Sequence, residues 1–526
     1  MSINSLILGV SLFFILTSNY AFFKNTMEFY PLSLDNIGFL SSLTLTLFAV
    51  FVLFFSLVSS RYIIKPIVAF VLVCASFANY FMNNYNIVID DTMLQNILET
   101  NIGESLDLLS LKLVINVLFM GLLPAFFVLN LNLEKTTFAQ ALFSRLKMLT
   151  LILVVASIGI FTCSKFYTSF LREHKPLRYY TNPSYFIYSS IKYTTKQFFS
   201  TQRAFKTIGN DAKKIPSETR KLVVVVVGEA VRWDKLSFNG YQRQTTPLLE
   251  KESLINFSNM YSCGTSTAIS VPCMFSILEK NNYSDIEAKN TENVLDIVKK
   301  TGANVLWRDN NSDSKGVAER VEYEDFKTSK NNPICDEECR DEGMLEGLQN
   351  YIDKHKQGDI LIVLHQMGNH GPAYYRRYPK EFERFTPTCK SNELAQCTNE
   401  EITNAYDNVI LYTDYFLSKT IGLLKQNDGA FEATLLYVSD HGESLGEKGL
   451  YLHGLPYFVA PEAQKHVGAF AWFSQKTQSR LDMDTFKDKA NQPYSHDNLF
   501  HTILGLMEIE TTVYEPQKDI IRQFRK

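Results

Sequence analysis

The sequence predicts a multi-pass α-helical membrane domain followed by a doubly wound α/β domain. Three observations lead there. Apolar runs at roughly Leu6–Phe23, Ile37–Val58, Ile63–Met82, Val114–Leu131 and Met148–Phe170 crowd the first third of the chain, and each is long enough to span a bilayer. From Lys221 onward short β-branched runs alternate with helical stretches, the pattern of an open sheet covered by helices. Six of the eight cysteines fall in this second part as close pairs, Cys263/Cys273, Cys335/Cys339 and Cys389/Cys397, whereas Cys74 and Cys163 lie in apolar runs.

Length and charge agree with two parts and narrow the partners. A chain of 526 residues exceeds what one core usually supports. Its mean hydropathy of −0.07 averages a very apolar first third with a polar remainder. The net charge of −3 offers no electrostatic footprint for nucleic acid.

The first apolar run lacks a basic leader and a small-residue cleavage site, so it reads as an uncleaved helix. Arg61 and Lys65 flank the link between the second and third runs, and Lys135, Arg145 and Lys147 fill the link between the fourth and fifth. Basic links stay in the cytoplasm. The connection 83–111 carries Asp90, Asp91, Glu99, Glu104 and Asp107 and suits the opposite face, which places the large C-terminal part outside. The expected organisation is a five-span domain over 1–170 with exterior loop 83–111, an interfacial bridge over 171–215 and a catalytic α/β domain over 216–526. The bridge interleaves Arg172, His174, Lys175, Arg178, Lys192, Lys196 and Arg203 with Tyr179, Tyr180, Tyr185, Tyr188, Tyr193 and Phe198, a composition that favours the headgroup layer.

An oxidising compartment accounts for the cysteine pairs as disulfides. The rival is thiolate zinc binding, yet the pairs have no CxxC spacing and loop-type residues flank them.

Four candidate strands end in groups able to hold a metal or a phosphate. Leu222–Val227 runs into Gly228-Glu229, Asn304–Trp307 into Arg308-Asp309-Asn310-Asn311, Asp359–Leu364 into His365 and His370, and Thr434–Val438 into Ser439-Asp440-His441-Gly442-Glu443. Ligands of open α/β sheets bind beyond the carboxyl ends of strands. Glu229, Asp440 and His441 form the mixed carboxylate and imidazole set used by catalytic zinc with one position open. Thr267, in Cys263-Gly264-Thr265-Ser266-Thr267, suits that position, because a hydroxyl at a helix start meets unpaired N–H groups and a metal lowers its pKa. A plain helix cap is the competing role for such hydroxyls. Asn311, Lys315, His370 and His453 are candidates for the phosphoryl oxygens.

These motifs carry a resemblance. Gly228-Glu229-Ala230-Val231-Arg232, Cys263-Gly264-Thr265-Ser266-Thr267, Asn310-Asn311-Ser312-Asp313-Ser314-Lys315, Asn369-His370-Gly371-Pro372, Ser439-Asp440-His441-Gly442-Glu443-Ser444 and Tyr451-Leu452-His453-Gly454 resemble the lipid A phosphoethanolamine transferases, the group that includes the mobile colistin-resistance enzymes. The resemblance covers both halves and implies an α/β/α periplasmic domain of the alkaline phosphatase and sulfatase superfamily. It implies Thr267 as a nucleophile that becomes phosphoethanolamine-threonine, with Glu229, Asp440 and His441 completing a zinc site. Asn311, Lys315, His370, Glu443 and His453 would line the phosphate and headgroup site, and the two histidines could hold further zinc. Asn96, Thr100 and Glu104, spaced to share one helix face, match polar residues that handle the lipid.

The implied enzyme is a monomer in the bacterial inner membrane, with its catalytic domain in the periplasm. It moves phosphoethanolamine from phosphatidylethanolamine to lipid A, releases diacylglycerol and confers polymyxin resistance; a core sugar, glycan or protein is the alternative acceptor. Some relatives have more cysteine pairs. A sulfatase is the nearest rival, but Met274 stands where the Ser/Cys-x-Pro-x-Arg signature needs Arg. A phosphoglycerol transferase also fits five spans and a threonine, and a non-catalytic receptor would bind no metal.

Overall fold

The computed structural model describes residues 1–100, 102–200 and 204–526, without the side chains at 102–104, 172, 173, 200 and 395. Arg203 and the side chains of Glu104 and Arg172 therefore lie outside the described residues. The chain divides into two compact units, one comprising 1–94 and 109–194, the other 95–108 and 195–526.

The first unit is helical. Helices α3 (Leu34–Leu57), α4 (Ile64–Tyr85), α7 (Leu111–Asn130) and α8 (Phe138–Thr162) are long and apolar enough to cross a membrane, and the bent pair α1 (Ile3–Ser18) and α2 (Tyr20–Phe29) makes a fifth candidate. The run Leu6–Phe23 is thus not one straight helix: it bends by 60° between α1 and α2. Asn19 is the cause. Its Nδ2 donates to Phe14 O at 2.9 Å and Asn182 O at 2.6 Å, taking a carbonyl the helix would otherwise use. The last run is also divided. A capping box between Thr137 and Gln140 starts α8 ahead of Met148, and Ser164–Glu173 forms the separate helix α9. The bridge contains helix α10 (Ser184–Ser200). Phe14, Phe39, Phe51 and Phe55 fill the core of this unit, with Phe14 stacked on Phe55 at 5.9 Å.

The connection 83–111 holds helices α5 (Asp91–Glu99) and α6 (Ile102–Asp107). Asn96, Thr100 and Glu104 therefore do not share one continuous helix. Thr100 Oγ1 donates to Asn96 O at 2.5 Å, so the β-branched hydroxyl competes for the carbonyl that would extend α5.

The second unit is built on a seven-stranded sheet. Its strands are β1 (Arg220–Gly228), β2 (Leu254–Asn256), β3 (Asn304–Asp309), β4 (Glu322–Asp325), β5 (Ile360–His365), β6 (Phe431–Ser439) and β7 (Ala469–Phe473), in the order β2-β7-β6-β1-β5-β3-β4. Strand β7 runs antiparallel to both neighbours, and β6, β1, β5, β3 and β4 are mutually parallel. Parallel strands covered on both faces need continuous apolar runs, and Val223 to Val227 of β1 are all buried. The register pairs Val227 with His365 and Gly228 with Ser439, so the ends of β1, β5 and β6 lie side by side. All three predicted disulfides form, Cys263–Cys273, Cys335–Cys339 and Cys389–Cys397, while Cys74 and Cys163 are free thiols.

Candidate active site and metal centre

The loops after β1 and β6 are tied together before any side-chain chemistry is considered. Asp440 N donates to Gly228 O at 2.9 Å, Ala230 N to Asp440 Oδ1 at 3.1 Å, and Val231 N to Ser439 Oγ at 2.7 Å. Ala230 has a left-handed φ of 56°, held by Tyr406 OH, which donates to Ala230 O at 2.7 Å and accepts from Arg232 N at 3.0 Å. Gly228 is obligatory, because a Cβ there would enter the Tyr437 ring. Gly368, at φ 44°, lets the loop after β5 approach Glu229, where an added Cβ would lie 3.1 Å from Glu229 Cβ.

Thr267 opens helix α11 (Thr267–Phe275). The N-cap residue is Ser266, and its side chain makes no capping hydrogen bond, so the hydroxyl cluster is not explained as a cap. Thr267 Oγ1 lies 3.1 Å from Glu229 Oε2 and 3.4 Å from His441 Nε2. His441 Nε2 lies 3.3 Å from Glu229 Oε1 and 3.4 Å from Asp440 Oδ2. His441 Nδ1 faces Gly442 O at 2.9 Å and must donate to it, which leaves Nε2 with its lone pair turned to the cluster. Burial lowers the His441 pKa and favours this neutral form.

This donor set fits a divalent cation. Glu229, Asp440 and His441 are fully buried, and Asp440 Oδ2 has no hydrogen-bond partner among the described residues. Two buried carboxylates beside a neutral imidazole leave negative charge that a cation would balance. The donor atoms of Glu229, His441 and His453 lie within 4.8 Å of one another, which draws His453 into the same cluster. His453 Nδ1 bonds Glu443 Oε2 at 2.7 Å, and its ring is 4.1 Å from the His441 ring and 5.9 Å from the His370 ring. Burial, aided by Arg377, holds His370 well below its ordinary pKa.

Asn311 Nδ2 donates to Glu229 Oε2 at 2.9 Å and Gln366 O at 2.6 Å. Its loop contains Asp313 and Lys315 at φ 80° and 51°, a strained pair of non-glycine residues beside the site. The Lys315 ammonium is buried and donates to Glu99 O at 3.1 Å and Ser312 O at 2.9 Å.

Several supporting residues escape sequence reasoning. Asp309 accepts from Asn311 N, Asp313 N, Trp307 Nε1 and His365 Nδ1, at 3.0, 3.1, 2.8 and 2.9 Å, and so shapes the Asn311 loop. Asp341 Oδ1 and Oδ2 accept from Met367 N and Gly368 N at 2.8 and 3.1 Å, fixing the loop that approaches Glu229. His496 accepts from Cys263 N at 3.1 Å and donates to Ser439 O at 3.0 Å, joining the loop that leads into Thr267 to the Asp440 loop. Only an alignment of strand ends with distant polar residues could have pointed to them.

A membrane-helical unit and an α/β/α unit with a hydroxyl, two carboxylates and imidazoles at its strand ends define a membrane enzyme of the sulfatase superfamily. The sulfatase family model matches residues 221–509, and the model for phosphoethanolamine transferases EptA/EptB matches residues 47–198. The chain belongs to the phosphoethanolamine transferase family. It is 43% identical to the phosphatidylethanolamine transferase Mcr-2 of Escherichia coli over 97% of this chain and 96% of the relative. It is 39% identical to the phosphoethanolamine transferase EptA of Escherichia coli K12 over 97% and 94%. The integral membrane lipooligosaccharide phosphoethanolamine transferase A of Neisseria meningitidis matches with a TM-score of 0.96 at 35% identity, covering 99% of each chain.

Proposed function

We propose that the protein transfers phosphoethanolamine from phosphatidylethanolamine to lipid A through a covalent intermediate on Thr267. The observation that carries this reading is the convergence of Thr267 Oγ1, Glu229, Asp440 and His441 at the start of α11. Thr267 Oγ1 attacks phosphorus, its hydrogen directed at Glu229 Oε2, and the bond from phosphorus to the glycerol oxygen breaks. Diacylglycerol leaves as the alcohol, its oxygen taking up the proton that Thr267 gave up. An acceptor hydroxyl of lipid A then attacks the same phosphorus, the bond from phosphorus to Thr267 Oγ1 breaks, and the proton the acceptor gives up restores the Thr267 hydroxyl. The backbone N–H groups at the start of α11 favour charge on the phosphoryl oxygens.

Zinc is the metal this donor set suits, held by Glu229, Asp440, His441 and Thr267, with His453 and His370 able to add ligands. When bound it would lower the pKa of the threonine hydroxyl and stabilise charge on the phosphoryl group. Asn311, Lys315, His370, Glu443 and His453 serve the phosphate and headgroup, and Asn96, Thr100 and Glu104 the approaching lipid. The lipooligosaccharide named for the Neisseria relative supports the acceptor class. The basic links at 61–65 and 135–147 and the disulfides support an inner-membrane protein whose second unit is periplasmic.

Mass spectrometry of lipid A from cells with and without this gene tests the reading. A phosphoethanolamine increment that depends on the gene is expected, and the same increment on a different glycan or protein would move the acceptor. Intact-protein mass spectrometry on donor alone should find the adduct at Thr267; an adduct elsewhere overturns the nucleophile.

A further inference from the structure

The stretch 95–108 follows membrane helices in the chain yet packs within the catalytic unit. Both its ends are clamped by cations. Lys289 Nζ lies 2.9 Å from Glu99 Oε1, and Lys315 Nζ bonds the Glu99 carbonyl. Asp107, buried near the other end, meets Arg376 Nη1 at 2.8 Å and Arg377 Nη2 at 2.5 Å, while Asn392 Nδ2 donates to its carbonyl at 2.5 Å.

Arg377 does more than hold Asp107. Its side chain is 2% exposed, and all three guanidinium nitrogens are engaged. Nη2 takes Asp107, Nη1 takes Glu338 between Cys335 and Cys339, and Nε donates to the carbonyl oxygen of His370 at 2.9 Å. A guanidinium is planar, with its N–H directions fixed relative to one another, so a shift at one acceptor rotates the other two. In a desolvated site the fork cannot exchange a lost acceptor for water at low cost.

We infer that Arg377 is a positioning residue, coupling the docked state of the exterior stretch at Asp107 to the placement of His370 in the site. The inference rests on the phosphoethanolamine reading and adds a route by which lipid-side contacts register at the phosphoryl centre. A purely structural ion pair would also be buried and fully bonded. It would not separate the two kinds of substrate.

The test uses the full chain in phosphatidylethanolamine vesicles, with kcat and KM measured on the bilayer donor and on a water-soluble phosphoethanolamine ester. Asp107→Asn should lower kcat on the bilayer donor about tenfold and leave turnover of the soluble ester, which does not engage the exterior stretch, within about twofold. Arg377→Gln should lower kcat about tenfold on both substrates, and Arg377→Lys should not rescue it, because an ammonium cannot reproduce the fork. The double variant should be no worse than Arg377→Gln alone, the signature of one pathway. The inference is overturned if Asp107→Asn affects both substrates equally or neither, if the two losses multiply, or if activity falls only in step with folded protein measured by thermal melting. A wild-type chain inactive on both substrates would instead sink the phosphoethanolamine reading, and variant ratios keep the two failures apart.

Discussion

His453 Nδ1 and Glu443 Oε2 stand 2.7 Å apart, and Tyr374 OH donates to the other Glu443 oxygen at 2.5 Å. A carboxylate behind an imidazole fixes the tautomer and turns the second ring nitrogen toward the centre. Glu443→Gln should therefore lower transfer about 10–100-fold with little change in thermal midpoint, measured as kcat/KM alongside metal per chain. Unchanged activity would leave His453 without a role at the metal.

Thr267→Ala should abolish transfer, by at least about 1,000-fold, because no other group replaces a covalent nucleophile. The variant should still fold and bind metal through Glu229, Asp440 and His441. Thr267→Ser should retain part of the activity. Full activity in the alanine variant ends the covalent mechanism.

Chelation should inactivate the protein, and zinc should restore it more fully than magnesium, since the imidazole-containing set favours zinc. Asp440→Ala should reduce metal per chain, measured by elemental analysis of protein equilibrated with limiting zinc. Equal zinc content in wild type and variant would remove Asp440 from the ligand set.

Stability should fall as the medium becomes acidic. Burial lowers the His496 pKa from 6.5 to about 4. Between those values the unfolded chain binds the extra proton, so stability present above pH 6.5 is lost as pH falls toward 4. The contribution at pH 5 is about 2 kcal/mol at most. Burial of His441 and His370 acts in the same direction. Thermal midpoints between pH 5 and 7 should slope less in His496→Gln than in the wild type; identical slopes would assign the acid sensitivity elsewhere.

The strand ends were readable because each carries a local signal, an apolar β-branched run stopped by Gly228-Glu229 or Ser439-Asp440, and the register then sets those ends side by side. The cysteine pairs were readable for the same reason, being close in the chain. The breaks were not. Asn19 bends the first apolar run through a partner at Asn182, and Thr100 ends α5 by a bond to Asn96, so hydrophobic period and spacing alone overstate the helices. His496 and Asp341 were illegible because their work is done on backbone groups far away in sequence.

Strand β6 is inserted between β1 and β7, and it delivers Asp440 and His441 to groups already present on Glu229 and Thr267. Sequence separation of this kind makes the pairing of β6 with β1 slow relative to local helix formation. A chain still being synthesised, with everything before Phe431 already emerged, consequently holds Glu229 and Thr267 but not yet Asp440 and His441. On the proposed function, the four groups at the site can therefore come together only when the polypeptide is nearly finished.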